Sequence, residues 1–218
     1  MKFHPINMEQ WHRKEYFNHY TKQQTSFSMT VDVNVQTLRG AAKQYGFPFY
    51  PAFIYAVTKA INEQQAFRMT MQDGELGYWD TVEPIYTVFD EREHSFSNIW
   101  TRRRARSFPS FHEAYVQDVY AHSKKGVMFP KTPIPENVFP LSMIPWVTYS
   151  SFQLHVGNAG NYLAPIVTAG RYEEREHQLF MPVSLHVHHG VADGYHAATF
   201  FTDLQHAANT AQDWLSNY

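Results

Sequence analysis

The chain contains no cysteine. Disulfides, thiolate nucleophiles and zinc–thiolate sites are therefore excluded. Charge is scarce as well: Asp, Glu, Lys and Arg make up 17% of the 218 residues, and the formal net charge is −2. So small a balance argues against disorder and against holding nucleic acid by bulk charge. No stretch approaches the roughly 18 apolar residues of a membrane span, and Met1 to Glu15 lacks a signal-peptide core. The expectation is a soluble, cytoplasmic protein. Apolar residues are plentiful, at 44% hydrophobic and 17% aromatic, which is enough for one sizeable core. Residues 1–218 are expected to form a single domain. Thirteen histidines make imidazole chemistry or metal binding worth testing.

Hydrophobic period supplies the elements. Asn7 is placed to cap a first helix running to about Tyr20. Between Ser26 and Val35, Phe27, Met29, Val31 and Val33 alternate with polar residues, the mark of a half-buried strand. Helices are expected at Thr37–Tyr45 and Pro51–Gln65, the latter with Phe53, Val57 and Ile61 on one face. Asp73-Gly74 between two apolar runs signals a hairpin. A strand at Ile85–Phe89 and a helix at Phe111–His122 follow. Lys124 to Pro145 carries five prolines and reads as an extended loop. Strands at about Trp146–His155, Leu163–Thr168 and Gln178–His189 precede a last helix from Gly194 to Trp214. This order suggests an α/β two-layer sandwich: a mixed, mostly antiparallel sheet with helices on one face.

The chemistry concentrates where the last strand ends. Leu179, Met181, Val183, Leu185 and Val187 share a face that His189 continues, while Ser184, His186 and His188 share the other. A histidine at the end of a buried strand can be aimed into a cleft as a general base. The bland alternative is a core histidine satisfied by a carbonyl. His186 and His188, two apart, could share a metal, but no third ligand stands at a characteristic spacing. Ser142 and Ser184 are candidates for a serine triad, yet no Gly-x-Ser-x-Gly elbow is present. Asp193, only four residues past His189, is better placed to support the turn than to orient the ring.

His188-His189-Gly190-Val191-Ala192-Asp193-Gly194 resembles the HHxxxDG signature of two acyltransferase families. These are the chloramphenicol acetyltransferases and the catalytic cores of 2-oxo-acid dehydrogenase complexes. Further segments resemble the first family in order: Trp11 to Phe17, Phe49 to Tyr55, Glu75 to Asp80, Tyr86 to Phe89, Ser142 to Val147 and Tyr162 to Thr168. The resemblance, to type A chloramphenicol acetyltransferases, spans almost the whole chain. The second family usually carries lipoyl domains on long Ala/Pro linkers, and none is expected before Met1. A non-catalytic relative that binds a small molecule or a metal is the remaining alternative.

The resemblance implies acetyl transfer from acetyl-CoA to the primary hydroxyl of chloramphenicol, with no acyl-enzyme and no metal. His189 matches the base, one ring nitrogen held by a hydrogen bond, and Ser142 matches the donor to the oxyanion. Asp193 and Arg13 match a structural ion pair. Tyr20, Phe27, Phe96, Phe152 and Leu154 match the antibiotic pocket, and Thr168 matches a threonine that holds a water near the substrate. Arg171 and Tyr172 match residues near the adenine of CoA, with Trp146 also assigned to the CoA side. A homotrimer with active sites between subunits is implied. Three departures stand out: Ala192 replaces a cysteine, Gly190 an alanine, and His19 a phenyl ring of the pocket. Asn98 to Ser107, with Arg102, Arg103, Arg104 and Arg106, has little match and reads as a solvated basic loop.

Overall fold

A computed structural model describes residues 1–103, 107–123, 126–156 and 162–216. In chain order the elements are β1 (Phe3–Pro5), α1 (Lys14–Gln23), β2 (Ser26–Asn34), α2 (Gln36–Gln44), α3 (Phe49–Glu63), β3 (Met69–Gln72), β4 (Glu75–Trp79), β5 (Glu83–Asp90), β6 (Ser95–Trp100), α4 (Phe108–His122), β7 (Val138–Ile144), β8 (Ile166–Gly170), β9 (Glu173–Arg175), β10 (Gln178–His188), α5 (Gly194–Asn209) and α6 (Ala211–Leu215).

The main sheet has the order β2-β10-β8-β7-β5-β6, with β9 also pairing β10. Its β5–β7 and β7–β8 pairs are parallel and its other pairs antiparallel, so the sheet is mixed and mostly antiparallel. Along β10, Met181, Val183, Leu185 and Val187 enter the core with α3 and α5, while Ser184, His186 and His188 are buried on the opposite face. α3 is enclosed on most sides, with Phe53, Ile54, Tyr55, Val57 and Ile61 buried, which explains the largely apolar sequence from Phe49 to Val57. A separate small sheet, β1-β4-β3, contains the expected hairpin. Asp73 at φ 50° and Gly74 at φ 84° turn it through two left-handed positions, as a two-residue hairpin of this sequence requires.

Several elements differ from the sequence-based expectation. Asn7 caps a turn, its Oδ1 accepting the Glu9 N–H at 3.0 Å, and α1 starts only at Lys14. β7 lies inside the proline-rich stretch. Phe139 and Leu141 alternate into the core around Pro140, and parallel neighbours flank the strand on both sides. No strand forms at Trp146–His155; after Pro145 the chain turns, and Tyr149 folds back to donate to the Thr168 carbonyl at 2.7 Å. β6 and β9 were not anticipated, and Asn98 to Trp100 belong to β6 rather than to a basic loop. The last helix breaks at Thr210, whose hydroxyl donates to the His206 carbonyl at 2.8 Å. The indole N–H of Trp214 then closes on the Ala207 carbonyl at 3.0 Å.

Candidate active site

His189 is the first residue beyond β10. Its N–H donates to the Thr25 carbonyl at 2.9 Å, which extends the ladder to β2 by one residue. The chain then turns: the N–H groups of Val191 and Ala192 donate to the His188 carbonyl at 3.2 and 3.1 Å. The two adjacent histidines point apart. His188 is buried, and its Nδ1 accepts the Gly190 N–H at 3.0 Å. Burial, together with nearby His189 and His186, lowers its pKa. His189 lies flat on Tyr20, ring centroids 3.9 Å apart, with Phe27 edge-on at 5.2 Å. Its Nδ1 is enclosed without a hydrogen-bond partner, while the residue as a whole is half-buried. Aromatic packing, and not the expected hydrogen bond, therefore sets the ring plane, and Nε2 is the nitrogen left to meet a ligand.

Asp193 does not contact the His189 ring. It caps α5: Oδ1 accepts the Tyr195 N–H at 3.1 Å and stands 2.8 Å from His196 Nδ1. Oδ2 pairs with Arg13 Nη1 at 2.8 Å, joining the turn to the start of α1. Burial alone would raise the Asp193 pKa, but the Arg13 and His196 contacts hold it far below the usual carboxylate range. Gly190 packs tightly here: a Cβ would stand 2.9 Å from His188 Cε1 and 3.2 Å from Phe17 Cδ2. The His188 ring and Phe17 thus occupy the space beside a residue that lacks a methyl group.

Ser142 occupies β7, and its hydroxyl lies 3.3 Å from that of Thr168 on β8. It opens into a cavity of about 560 Å³ walled by Tyr50, Phe89, Phe96, Tyr115 and Trp146. Phe89 meets Trp146 edge-on at 4.6 Å, yet Phe89, Phe96 and Trp146 are 40%, 49% and 58% exposed. Ser142 and His189 are not neighbours within the chain. Ser142 pairs in register with Thr168, and Thr168 with Ser184. His189 is five residues beyond Ser184, about 16 Å along the strand and on the opposite alternation.

The other expected residues fall into separate groups. Tyr20 and Phe27 surround His189; Phe96 and Trp146 join Ser142. Phe152 lies 5.7 Å from Tyr149, ring to ring, and Leu154 is exposed. Arg171 is exposed, its N–H donating to the Val147 carbonyl at 2.8 Å. The Tyr172 hydroxyl accepts from Arg39 Nε at 3.0 Å, with the guanidinium 5.3 Å over the ring. Arg39 was missed in the sequence; its only signal is a cation on the exposed side of amphipathic α2. His19 is exposed and edge-on to Tyr20 at 5.0 Å. Arg103 N–H donates to buried Glu83 at 3.0 Å, and Arg102 stacks over Trp100; Arg104 and Arg106 lie outside the described residues. His186 Nδ1 bonds the Ser28 hydroxyl at 2.9 Å, and no three metal-binding side chains converge among the described residues. No helix among them is long and apolar enough to cross a membrane.

A solved chloramphenicol acetyltransferase superposes with a TM-score of 0.83 over 95% of this chain and 100% of its own, at 24% identity. The dihydrolipoamide acetyltransferase of Azotobacter vinelandii superposes at 0.68 over 92% of this chain and 88% of its own, at 15% identity. Both superpositions show the same two-layer sandwich fold. A family model for chloramphenicol acetyltransferase matches residues 1–205. A Staphylococcus aureus chloramphenicol acetyltransferase is 47% identical over 99% of this chain and 100% of its own length. One from Clostridium perfringens is 39% identical over 99% of both. The chain belongs to the chloramphenicol acetyltransferase family.

Proposed function

We propose that this chain inactivates chloramphenicol by moving an acetyl group from acetyl-CoA to the primary hydroxyl of the antibiotic. Family membership over nearly the full length supports an antibiotic-inactivating acetyltransferase. The observation that carries the mechanism is His189, held by aromatic packing at the exit of β10 with one ring nitrogen free.

Nε2 of His189 accepts the hydroxyl proton as the oxygen attacks the thioester carbonyl carbon. A carbon–oxygen bond forms, and the carbonyl π pair moves onto oxygen. Ser142 donates its O–H to that oxyanion, a contact whose loss typically costs about 3–4 kcal/mol in the barrier. Collapse of the intermediate breaks the carbon–sulfur bond, and the His189 imidazolium returns its proton to the departing CoA thiolate. The base contributes about 10²- to 10⁴-fold. Arg13 and Asp193 hold the turn that carries His189 and touch no reacting atom.

We assign Tyr20, Phe27, Phe96, Phe152, Leu154 and Thr168 to the antibiotic, and Trp146, Arg171 and Tyr172 to acetyl-CoA. The separation of His189 from Ser142 supports a homotrimer in which one subunit supplies the base and the next the oxyanion donor. Exposed Phe89, Phe96 and Trp146 around the Ser142 cavity support the same reading, since clustered exposed aromatics mark contact surfaces. A buried cluster running from Phe17 to Leu215 supports a single domain. We place the reaction in the cytoplasm, with the acetyl-CoA pool.

The test is release of free thiol from acetyl-CoA with and without chloramphenicol. Antibiotic-dependent release is expected. Its absence from folded protein, or transfer to dihydrolipoamide instead, would overturn the proposal.

A further inference from the structure

Four hydroxyl-bearing residues form one row across adjacent strands. Thr30 on β2 lies opposite Ser184 on β10, Ser184 opposite Thr168 on β8, and Thr168 opposite Ser142 on β7. Residues paired across a ladder share a face, so all four lie on the side away from the core helices. Tyr149 reaches across this row. Its hydroxyl donates to the Thr168 carbonyl at 2.7 Å and accepts from Ser184 Oγ at 3.3 Å. Thr30 Oγ1 stands 2.7 Å from Ser184 Oγ and accepts the Phe152 N–H at 3.4 Å.

The directions of these bonds are mutually constrained. The Ser184 proton goes to Tyr149, so Thr30 must donate to Ser184. A one-way chain results, from the Phe152 N–H through Thr30, Ser184 and Tyr149 to the Thr168 carbonyl. Each link in such a chain polarises the next. The slot for Tyr149 is also shaped for it. A Cβ on Gly170 would stand 2.8 Å from Tyr149 Cε1 and 2.8 Å from Pro182 Cγ. Only bare backbone there lets the phenol ring lie against β8 and reach the carbonyl two residues back. Burial raises the phenol's pKa, against the effect of Ser184, so the group remains a protonated donor.

We propose that Tyr149 is a positioning residue for acetyl transfer: it clamps the Thr168 backbone so that the Thr168 hydroxyl donates to Ser142. The Ser142 proton is then left free to point at the oxyanion. This inference rests on the reading of Ser142 as oxyanion donor.

Tyr149→Phe removes the hydroxyl and keeps the ring. Steady-state acetylation and thermal unfolding are measured for the wild type, Tyr149→Phe, Ser142→Ala and the double variant. Tyr149→Phe should lower kcat about tenfold, shift KM for either substrate by less than about twofold, and add nothing once Ser142 is alanine. An unchanged kcat, or the same loss on top of Ser142→Ala, overturns the positioning role and leaves that of Ser142 intact. Full activity in Ser142→Ala removes the reading beneath it. Should Tyr149→Phe fail to fold, Ser184→Ala breaks the chain one link earlier. Its loss must likewise vanish in the Ser142→Ala background; an independent loss overturns the role.

Discussion

The rings of His189 and Tyr20 lie face to face, centroids 3.9 Å apart and planes within 5° of parallel. His189 Nδ1 has no hydrogen-bond partner, so this stack and the Phe27 edge fix where Nε2 points. An aromatic pair of this kind is worth about 0.5–1.5 kcal/mol beyond its buried area. Tyr20→Phe should therefore preserve kcat at saturating substrate. Tyr20→Leu, which keeps bulk but loses the flat ring, should lower it about tenfold, the equivalent of about 1.4 kcal/mol. Equal kcat values for the two variants would show that the stack does not orient the base.

The Arg13–Asp193 pair should make a larger contribution to stability than to chemistry. Arg13 is mostly buried, while a third of the Asp193 side chain is exposed. Breaking the pair with Asp193→Asn should cost about 1–3 kcal/mol, less than the ~3–5 kcal/mol of a fully buried pair. The pH dependence has a definite sign. The folded Asp193 pKa lies below its unfolded value, so the stabilisation is complete above the ordinary carboxylate range and is lost as pH falls through and below about 4. Urea unfolding across pH should show wild type and Asp193→Asn separated at pH 7 and converging in acid.

His188 and Gly190 should behave as a coupled pair. A methyl group on Gly190 meets the His188 ring at 2.9 Å and forces it off the Gly190 N–H. Gly190→Ala should destabilise by about 1–3 kcal/mol, as overpacking does. In a His188→Ala background the added cost should shrink, because the space is open. Additive denaturation midpoints would contradict the contact. The lowered His188 pKa adds a pH signature: stability from the neutral ring is full above about 6.5 and declines as pH falls below it. His188→Ala should remove that part of the slope.

Much of this architecture was legible in residue order. β2 announced itself by alternation, β3–β4 by Asp73-Gly74, and β10 by its long apolar run. β7 was hidden because Pro140 and its neighbours read as loop, while its parallel partners β5 and β8 lie far away in the chain. β9, at three residues, is too short for a periodic signal. The 146–155 stretch has a strand's composition, but Tyr149 is captured by the Thr168 carbonyl. Toward the proposed site, His189 and Asp193 stood out by position, whereas Arg13 and the oxyanion role of Ser142 came only from the family resemblance. The Tyr20 stack, the unpartnered Nδ1 and the Arg39–Tyr172 contact arise only from folding, since none follows from spacing along the chain.

The proposed division of the active site between copies of the chain admits a direct measurement. Ser142 lies about 16 Å along the sheet from the row of His189, so on the proposed reading each needs its counterpart from a neighbouring subunit. His189→Ala and Ser142→Ala subunits, each nearly inactive alone, are unfolded together, refolded and assayed for chloramphenicol acetylation. Mixed trimers should regain about a quarter of wild-type activity, because one interface in four pairs an intact histidine with an intact serine. A mixture no more active than the sum of its separately refolded parts would contradict a base and an oxyanion donor drawn from neighbouring subunits.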